Sequence, residues 1–435
     1  MPESAAGRRF PLNPEATWPF EITTPMTSSI FIRACSPDRR VSPGVSNSRR
    51  LMTQAATGLM VLACAGTGQL TSAPVLAQER ASATHSGSPA PGGRPSTGAR
   101  ASWNEIGRAL AGQPPSRSFQ DEPTRLAWQA YADEVNANWR QYRERMAEPM
   151  RQWSSTEVPS ANATVFYPFS GPDFATLDNV FPRANRYVMI AMQRAERPVD
   201  VLSLKPQSAL QTIEVLGDAW RHFGRDGFFV TEYLDRYLTR NQVRIGASTF
   251  LLTFFQLKGY EVTDITPIRV DDQGRIELLA HDTRDWMSVR FSLIRDGQPV
   301  VLDYLRIDLS DKGLSQAPGH HTFVRQMAQH PSLLKAASHL PQNKTFSMVA
   351  QAMLDEGRFI LQDETGLKYT RLNEHFETVL YGRFEKAHGA FPSYHRDLAR
   401  AFTERKDIRP LNFKVGYYKD GNYVLIAARR RHGMR

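Results

Sequence analysis

The side chains best placed to do chemistry are acidic. Asp173, the trio Asp303, Asp308 and Asp311, and the pair Asp363 and Glu364 each fall where an apolar, strand-like run gives out. In an α/β sheet, ligands collect beyond the carboxyl ends of the strands, and carboxylates converging there act as general acid, general base or hard-metal ligand. Asp173, Asp308 and Asp363 are therefore the candidate catalytic set. Ser170, Gly171 and Asp173 lie in a turn between a strand and a short helix, where backbone N–H groups can face an anion, and form the candidate ligand-binding set. Aspartate at a strand exit also forms turns and helix caps, and Asp311-Lys312-Gly313 reads that way.

Other reactive constellations are missing. Of the eleven histidines, His320 and His321 are adjacent and would point apart on a helix or strand, His330 and His339 follow, and no His-Glu-x-x-His spacing occurs. No metal site is expected from them. The sequence has no Gly-x-Ser-x-Gly elbow and no Gly-x-x-x-x-Gly-Lys-Ser/Thr loop, which removes the usual signatures of serine hydrolases and P-loop enzymes. Two cysteines, Cys35 and Cys64, are too few for a disulfide scaffold or a cysteine-built zinc site. These residues name no cofactor.

The elements that would position the acids alternate from residue 160 onward. A strand, Thr164–Phe169, leads through Ser170-Gly171-Pro172-Asp173 into a short helix, 174–180, and a second strand, 187–192. Helices follow over 207–223, 232–240 and 247–258, with strands at 260–268 and 275–280. Asp296-Gly297 between the apolar arms 289–294 and 300–308 is the clearest hairpin signal. Helices at 322–329, 346–355 and 395–405, a buried strand at 359–362 and a closing hairpin with arms 413–418 and 423–427 complete the pattern. Ahead of this body, Trp128, Tyr131, Val135, Trp139, Tyr142, Met146, Met150 and Trp153 recur every three or four residues. They predict a long amphipathic helix over 120–157, entered at Asp121-Glu122-Pro123 and kinked or ended at Pro149. Its aromatic stripe packs on the body or docks on a partner or membrane.

Residues 1–77 read as a leader. Arg49-Arg50 precede a mildly apolar run, 51–66, too short to span a membrane as a mature helix, which makes about 49–77 an export signal by either the general or the twin-arginine route. Two processing sites compete. Cleavage after Val75-Leu76-Ala77 would release the chain, whereas Met60-Val61-Leu62-Ala63-Cys64 resembles a lipobox whose Cys64 would be acylated. Residues 78–119, rich in Ser, Pro and Gly, read as a flexible tether to the 158–435 body. The expected compartment is periplasmic or extracytoplasmic, with a membrane-anchored lipoprotein as the alternative.

Composition agrees with a globular body: 41% hydrophobic, 23% charged, with a mean hydropathy of −0.44. The net charge of +10 is not a nucleic-acid signature, because the first hundred residues carry ten arginines, no lysine and five acids, while the other 335 balance 44 basic against 39 acidic groups. No nucleic-acid partner is expected. The expected partners are a small ligand or another envelope protein, with membrane contact only through a lipid anchor.

Phe166-Tyr167-Pro168-Phe169-Ser170-Gly171-Pro172-Asp173-Phe174, Phe181-Pro182-Arg183-Ala184, Lys335-Ala336-Ala337-Ser338 and Phe359-Ile360-Leu361-Gln362-Asp363-Glu364-Thr365-Gly366 resemble segments of an uncharacterised family of bacterial exported proteins over roughly residues 160–427. That resemblance implies export and a shared domain and brings no activity. The strand-turn-helix-strand order with a terminal antiparallel hairpin also resembles the architecture of class I methyltransferases. Two departures stand out: Ser170-Gly171-Pro172 is not a Gly-x-Gly turn, and the second strand ends at Met192-Gln193 without an acid to hold a ribose. The expectation is an α/β protein, a mixed sheet with flanking helices and hairpins and a Rossmann-like first β-α-β unit, preceded by the long amphipathic helix. Its expected role is ligand or partner binding; the alternative is an enzyme with a carboxylate-lined crevice, hydrolase or degenerate methyltransferase-like.

Overall fold

The computed structural model describes residues 102–159, 163–227, 229, 245–384, 395–416 and 423–431. The predicted leader with its export signal and Cys64, and the predicted helix over 232–240, lie outside the described residues.

Ten strands form one mixed sheet in the order β4-β3-β5-β6-β2-β1-β7-β8-β10-β9. Its centre is parallel: β6 (Gln298–Arg306), β2 (Arg186–Ala191), β1 (Thr164–Tyr167), β7 (Ser332–Leu334) and β8 (Phe359–Gln362). On one flank β5 (Ser288–Arg295), β3 (Glu261–Val270) and β4 (Ile276–Leu278) continue antiparallel. On the other, β10 (Tyr423–Arg430) is slotted antiparallel between β8 and β9 (Phe376–Arg383). From β1 the chain steps one way to β2, crosses to the outer β3 and β4 and comes back inward through β5 to β6 beside β2, then returns to β7 on the other side of β1 and winds outward to β8. The direction of winding therefore reverses between β1 and β7, which pair at a single register position, Phe166 with Ser332. This is the topological switch point at which α/β sheets bind ligands.

Alternation along the strands fills two cores. Val165 and Tyr167 of β1 face one and Phe166 the other. The first core is covered by α1 (Trp103–Leu110), α2 (Glu122–Tyr142), α3 (Glu148–Glu157), α4 (Phe174–Val180), α5 (Pro206–Asp226) and α6 (Ala247–Leu257). The second is covered by α7 (Asp311–Gln316), α8 (Pro318–Ala328), α9 (Ser347–Glu356), α10 (Tyr369–His375) and α11 (Arg396–Glu404). The β1-α4-β2 unit is the predicted β-α-β unit, with β1 and β2 parallel.

The aromatic stripe is buried. Tyr131, Val135, Trp139, Tyr142, Met150 and Trp153 all lie in the first core, so the long helix packs on the body. Asp121 caps its start by accepting from the Thr124 N–H at 2.9 Å. Pro149 does not end it. A five-residue π turn, Arg143–Ala147, precedes the proline and widens the helix where the ring would meet the preceding carbonyl, and α3 carries on.

Three expectations need correcting. The tether predicted for 78–119 gives way at Ser102, which caps α1, and Ile106, Ala109 and Leu110 are buried in the first core, so this short apolar face anchors the chain. The closing hairpin is not local: β10 pairs with β9, some forty residues upstream, and residues 413–416 form no strand. Asp303 is not at a strand exit. It sits inside β6, fully buried, where Arg290 Nε at 2.6 Å and Arg186 Nη2 at 2.8 Å neutralise it and pin β5 and β2 to β6. No described helix is long and apolar enough to cross a membrane.

Candidate functional site

At the switch point, β1 and β7 diverge and the gap beyond their carboxyl ends is filled by polar side chains. The Lys335 ammonium lies 2.7 Å from Asp173 Oδ2 and 3.3 Å from Thr176 Oγ1. The Lys335 side chain is 1% exposed and that of Asp173 6%. Asp173 also caps α4, accepting from the Thr176 N–H at 3.3 Å, and accepts from the Tyr167 hydroxyl at 3.3 Å. The same hydroxyl reaches the Lys335 carbonyl at 3.2 Å, tying the end of β1 to the loop after β7. Burial, followed by the nearby Asp173 and Asp363 carboxylates, raises the Tyr167 phenol well above its ordinary range, so it stays a donor.

Asp363, directly after β8, holds the adjoining loop. Its Oδ2 accepts from the Ala336 N–H at 2.7 Å, and its Oδ1 from the Thr365 N–H at 2.8 Å and hydroxyl at 2.6 Å. The Thr365 hydroxyl accepts in turn from the Ala337 N–H at 2.7 Å. Burial pushes the Asp363 carboxyl up, against the pull of these donors and of Lys335.

That loop is strained. Ala336, Ser338 and His339 have φ of 51°, 51° and 60°, a left-handed backbone that L residues avoid. Of the six described non-glycine residues with positive φ, Phe169 follows β1, Glu196 lies beyond β2 and these three follow β7; Asp296 belongs to the Asp-Gly hairpin turn. Strain is thus concentrated at the carboxyl edge of the parallel strands. In the loop after β7 it persists because Asp363 and Thr365 bind the Ala336 and Ala337 N–H groups.

Of the predicted set, Asp173 and Asp363 come together around Lys335-Ala336. Asp308 does not join them. It follows β6, two strand spacings or roughly 10 Å from β1 and four from β8, and it accepts from the Ser310 N–H at 2.9 Å while packing on Gly313. Asp308 thus serves its own turn, whereas Asp173 and Asp363 both hold the loop after β7. Among the described residues no three His, Cys, Asp or Glu gather in a way that could hold a metal ion. The turn proposed to receive an anion faces inward as well: the Ser170 N–H and hydroxyl both donate to the Ile190 carbonyl, at 2.9 and 3.1 Å. Gly171 takes a left-handed φ of 53° with open space beside it.

Lys335 was missing from the candidates although Lys335-Ala336-Ala337-Ser338 was singled out. The other network that was missed lies at the amino end of β2. There Asp178 accepts from Tyr187 OH at 2.7 Å, Tyr260 OH at 2.6 Å and Arg295 Nη1 at 3.1 Å, with Lys258 Nζ at 2.8 Å. Burial opposes its charge, but Lys258 and the phenols prevail and keep the carboxyl below its ordinary value. Being at the opposite end of the strands, this network is a structural tie.

Two open clefts lie away from the switch point. One, of about 440 Å³, is lined by Arg197, His281, Asp282, Thr283 and Trp286, with the Arg197 guanidinium 5.3 Å from both the Trp103 and the Trp286 rings. The other, of about 460 Å³, lies between α10 and α11, with Tyr369, Asp397 and Arg405 in its wall. No protein-family model, no curated protein and no solved structure matches the chain.

Proposed function

We propose that this chain is an exported bacterial envelope protein that binds a ligand or a partner and performs no chemistry at its switch-point crevice. It is a degenerate methyltransferase-like scaffold filled from within. The observation that carries this reading is the buried Lys335–Asp173 pair, 2.7 Å apart with Thr176 and Tyr167 around it, occupying the space in which an open α/β sheet receives its cofactor. The resemblance to class I methyltransferases is supported by the reversal at β1/β7 and by β10 slotted antiparallel beside β9. The departures from it are equally physical: the Ser170 turn spends its donors internally, and β2 runs out without an acid. A hydrolase using Asp173, Asp308 and Asp363 together has less support, because Asp308 stands apart. The strained loop 336–339, exposed at Ser338, is the rigid surface offered for recognition.

Calorimetric titration of the purified chain with S-adenosylmethionine tests the closed crevice, with no saturable heat expected; saturable binding would overturn the reading. Mass analysis of the native amino terminus tests export. A start at Gln78 means release and an acylated Cys64 means anchoring, whereas an intact leader on cytosolic protein refutes export.

A further inference from the structure

Two histidines that no motif connects meet in the interior. His339 ends the strained loop after β7 with a φ of 60°, and His395 precedes α11. They are 3% and 1% exposed. Their Nε2 atoms are 3.2 Å apart, their ring planes cross at 82° and their ring centres are 4.9 Å apart.

Two imidazole nitrogens on one tetrahedral ion, each about 2.0–2.1 Å from it, are about 3.3 Å from each other. Ring centres lie about 1.1 Å behind their nitrogens, so rings aimed at a shared ion have centres about 5 Å apart, whereas rings meeting head-on in a straight N–H···N bond at this separation would have centres about 5.5 Å apart. The observed 4.9 Å matches the bent arrangement. Shared equally between the rings, that bend makes the two nitrogens converge on a point about 2.1 Å from each, which is a metal–imidazole bond length.

The geometry points to a divalent transition-metal site, zinc or a close relative, held by Nε2 of His339 and Nε2 of His395. Imidazole pairs suit such ions, and a backbone held left-handed at His339 fixes one ligand before the metal arrives. Among the described residues no third acid, cysteine or histidine joins the buried pair. On binding, the ring that carries its proton on Nε2 releases it and takes one at Nδ1, leaving both imidazoles neutral. The site is independent of the compartment and of the Lys335–Asp173 closure.

The test is titration of the chelator-treated chain with cobalt(II), followed through its visible absorption. The expected result is one equivalent bound, displaced by zinc, with the band lost in His339→Ala and in His395→Ala and kept in a His320→Ala/His321→Ala control. No saturable band in the unmodified chain, or a band unchanged in both single variants, overturns the site. Zinc-edge X-ray absorption on the unmodified chain covers the case in which a variant fails to fold: imidazole scattering at about 2.0 Å supports the assignment, and a first shell without it overturns the site.

Discussion

Asp173 caps α4, pairs with Lys335 and accepts from Tyr167, all out of contact with water. Removing one member of such a pair strands the other charge. Lys335→Met is therefore expected to cost about 3–5 kcal/mol in urea unfolding, and adding Asp173→Asn should recover part of that loss. His320 and His330 are each held below their ordinary 6.5, both by burial and His330 also by Arg186 and Arg358. A base depressed in the folded state costs stability once the unfolded chain takes up the proton. The thermal midpoint should thus fall as pH drops below about 6.5, with a flatter fall in His330→Gln. Glu105 has the opposite sense. Burial opposes its charge, yet Arg108 and the Ser116 and Arg117 donors bring it down to about 2. The deficit of Glu105→Gln should be full above pH 4.5 and close as pH approaches 2. Asp173 and Asp363 were legible because a β-rich run ending in aspartate marks a strand exit. Lys335 was not, because lysine is ordinarily solvated and its partner lies 162 residues away.

Periodicity resolves elements and not their partners. The helices at 174–180 and 247–257 and the strand at 359–362 follow directly from apolar spacing, and Asp296-Gly297 joins β5 to β6 with Arg295 opposite Gln298. The three-residue β7 and the eight-residue β9 went unread, the first for want of length and the second because its alternation is interrupted by polar neighbours. The Lys419-Asp420-Gly421-Asn422 signal suggested a local hairpin, yet β10 takes a distant partner, which no short-range signal encodes. At this scale, loss of the α2 cap in Asp121→Ala should lower stability by about 1 kcal/mol in a denaturant titration. Ser338→Gly relieves a left-handed serine at the expense of unfolded-state entropy, for a net gain of about 1 kcal/mol or less by the same measurement. If the loop is the recognition surface, that gain comes with weaker partner binding.

At the scale of the molecule, both faces of the sheet are cores, and α1 is part of the first. Deleting 102–113 removes Ile106, Ala109 and Leu110 together with the carbonyls of Ala109 and Leu110 that Trp128 and Tyr131 donate to. Such a chain is expected to bind a hydrophobic dye that the intact protein excludes. The three-layer arrangement was foreseeable from alternation of strand and helix signals. The reversal at β1/β7 was not, because it depends on which strands become neighbours. The position of β10 also dictates timing during synthesis. β8 and β9 have no direct bond to each other and acquire their shared neighbour only once residues 423–430 have left the ribosome. A nascent chain stopped short of that point displays two raw sheet margins, so nonsense codons even a dozen triplets upstream of 430 should yield inclusion bodies rather than a trimmed, soluble product.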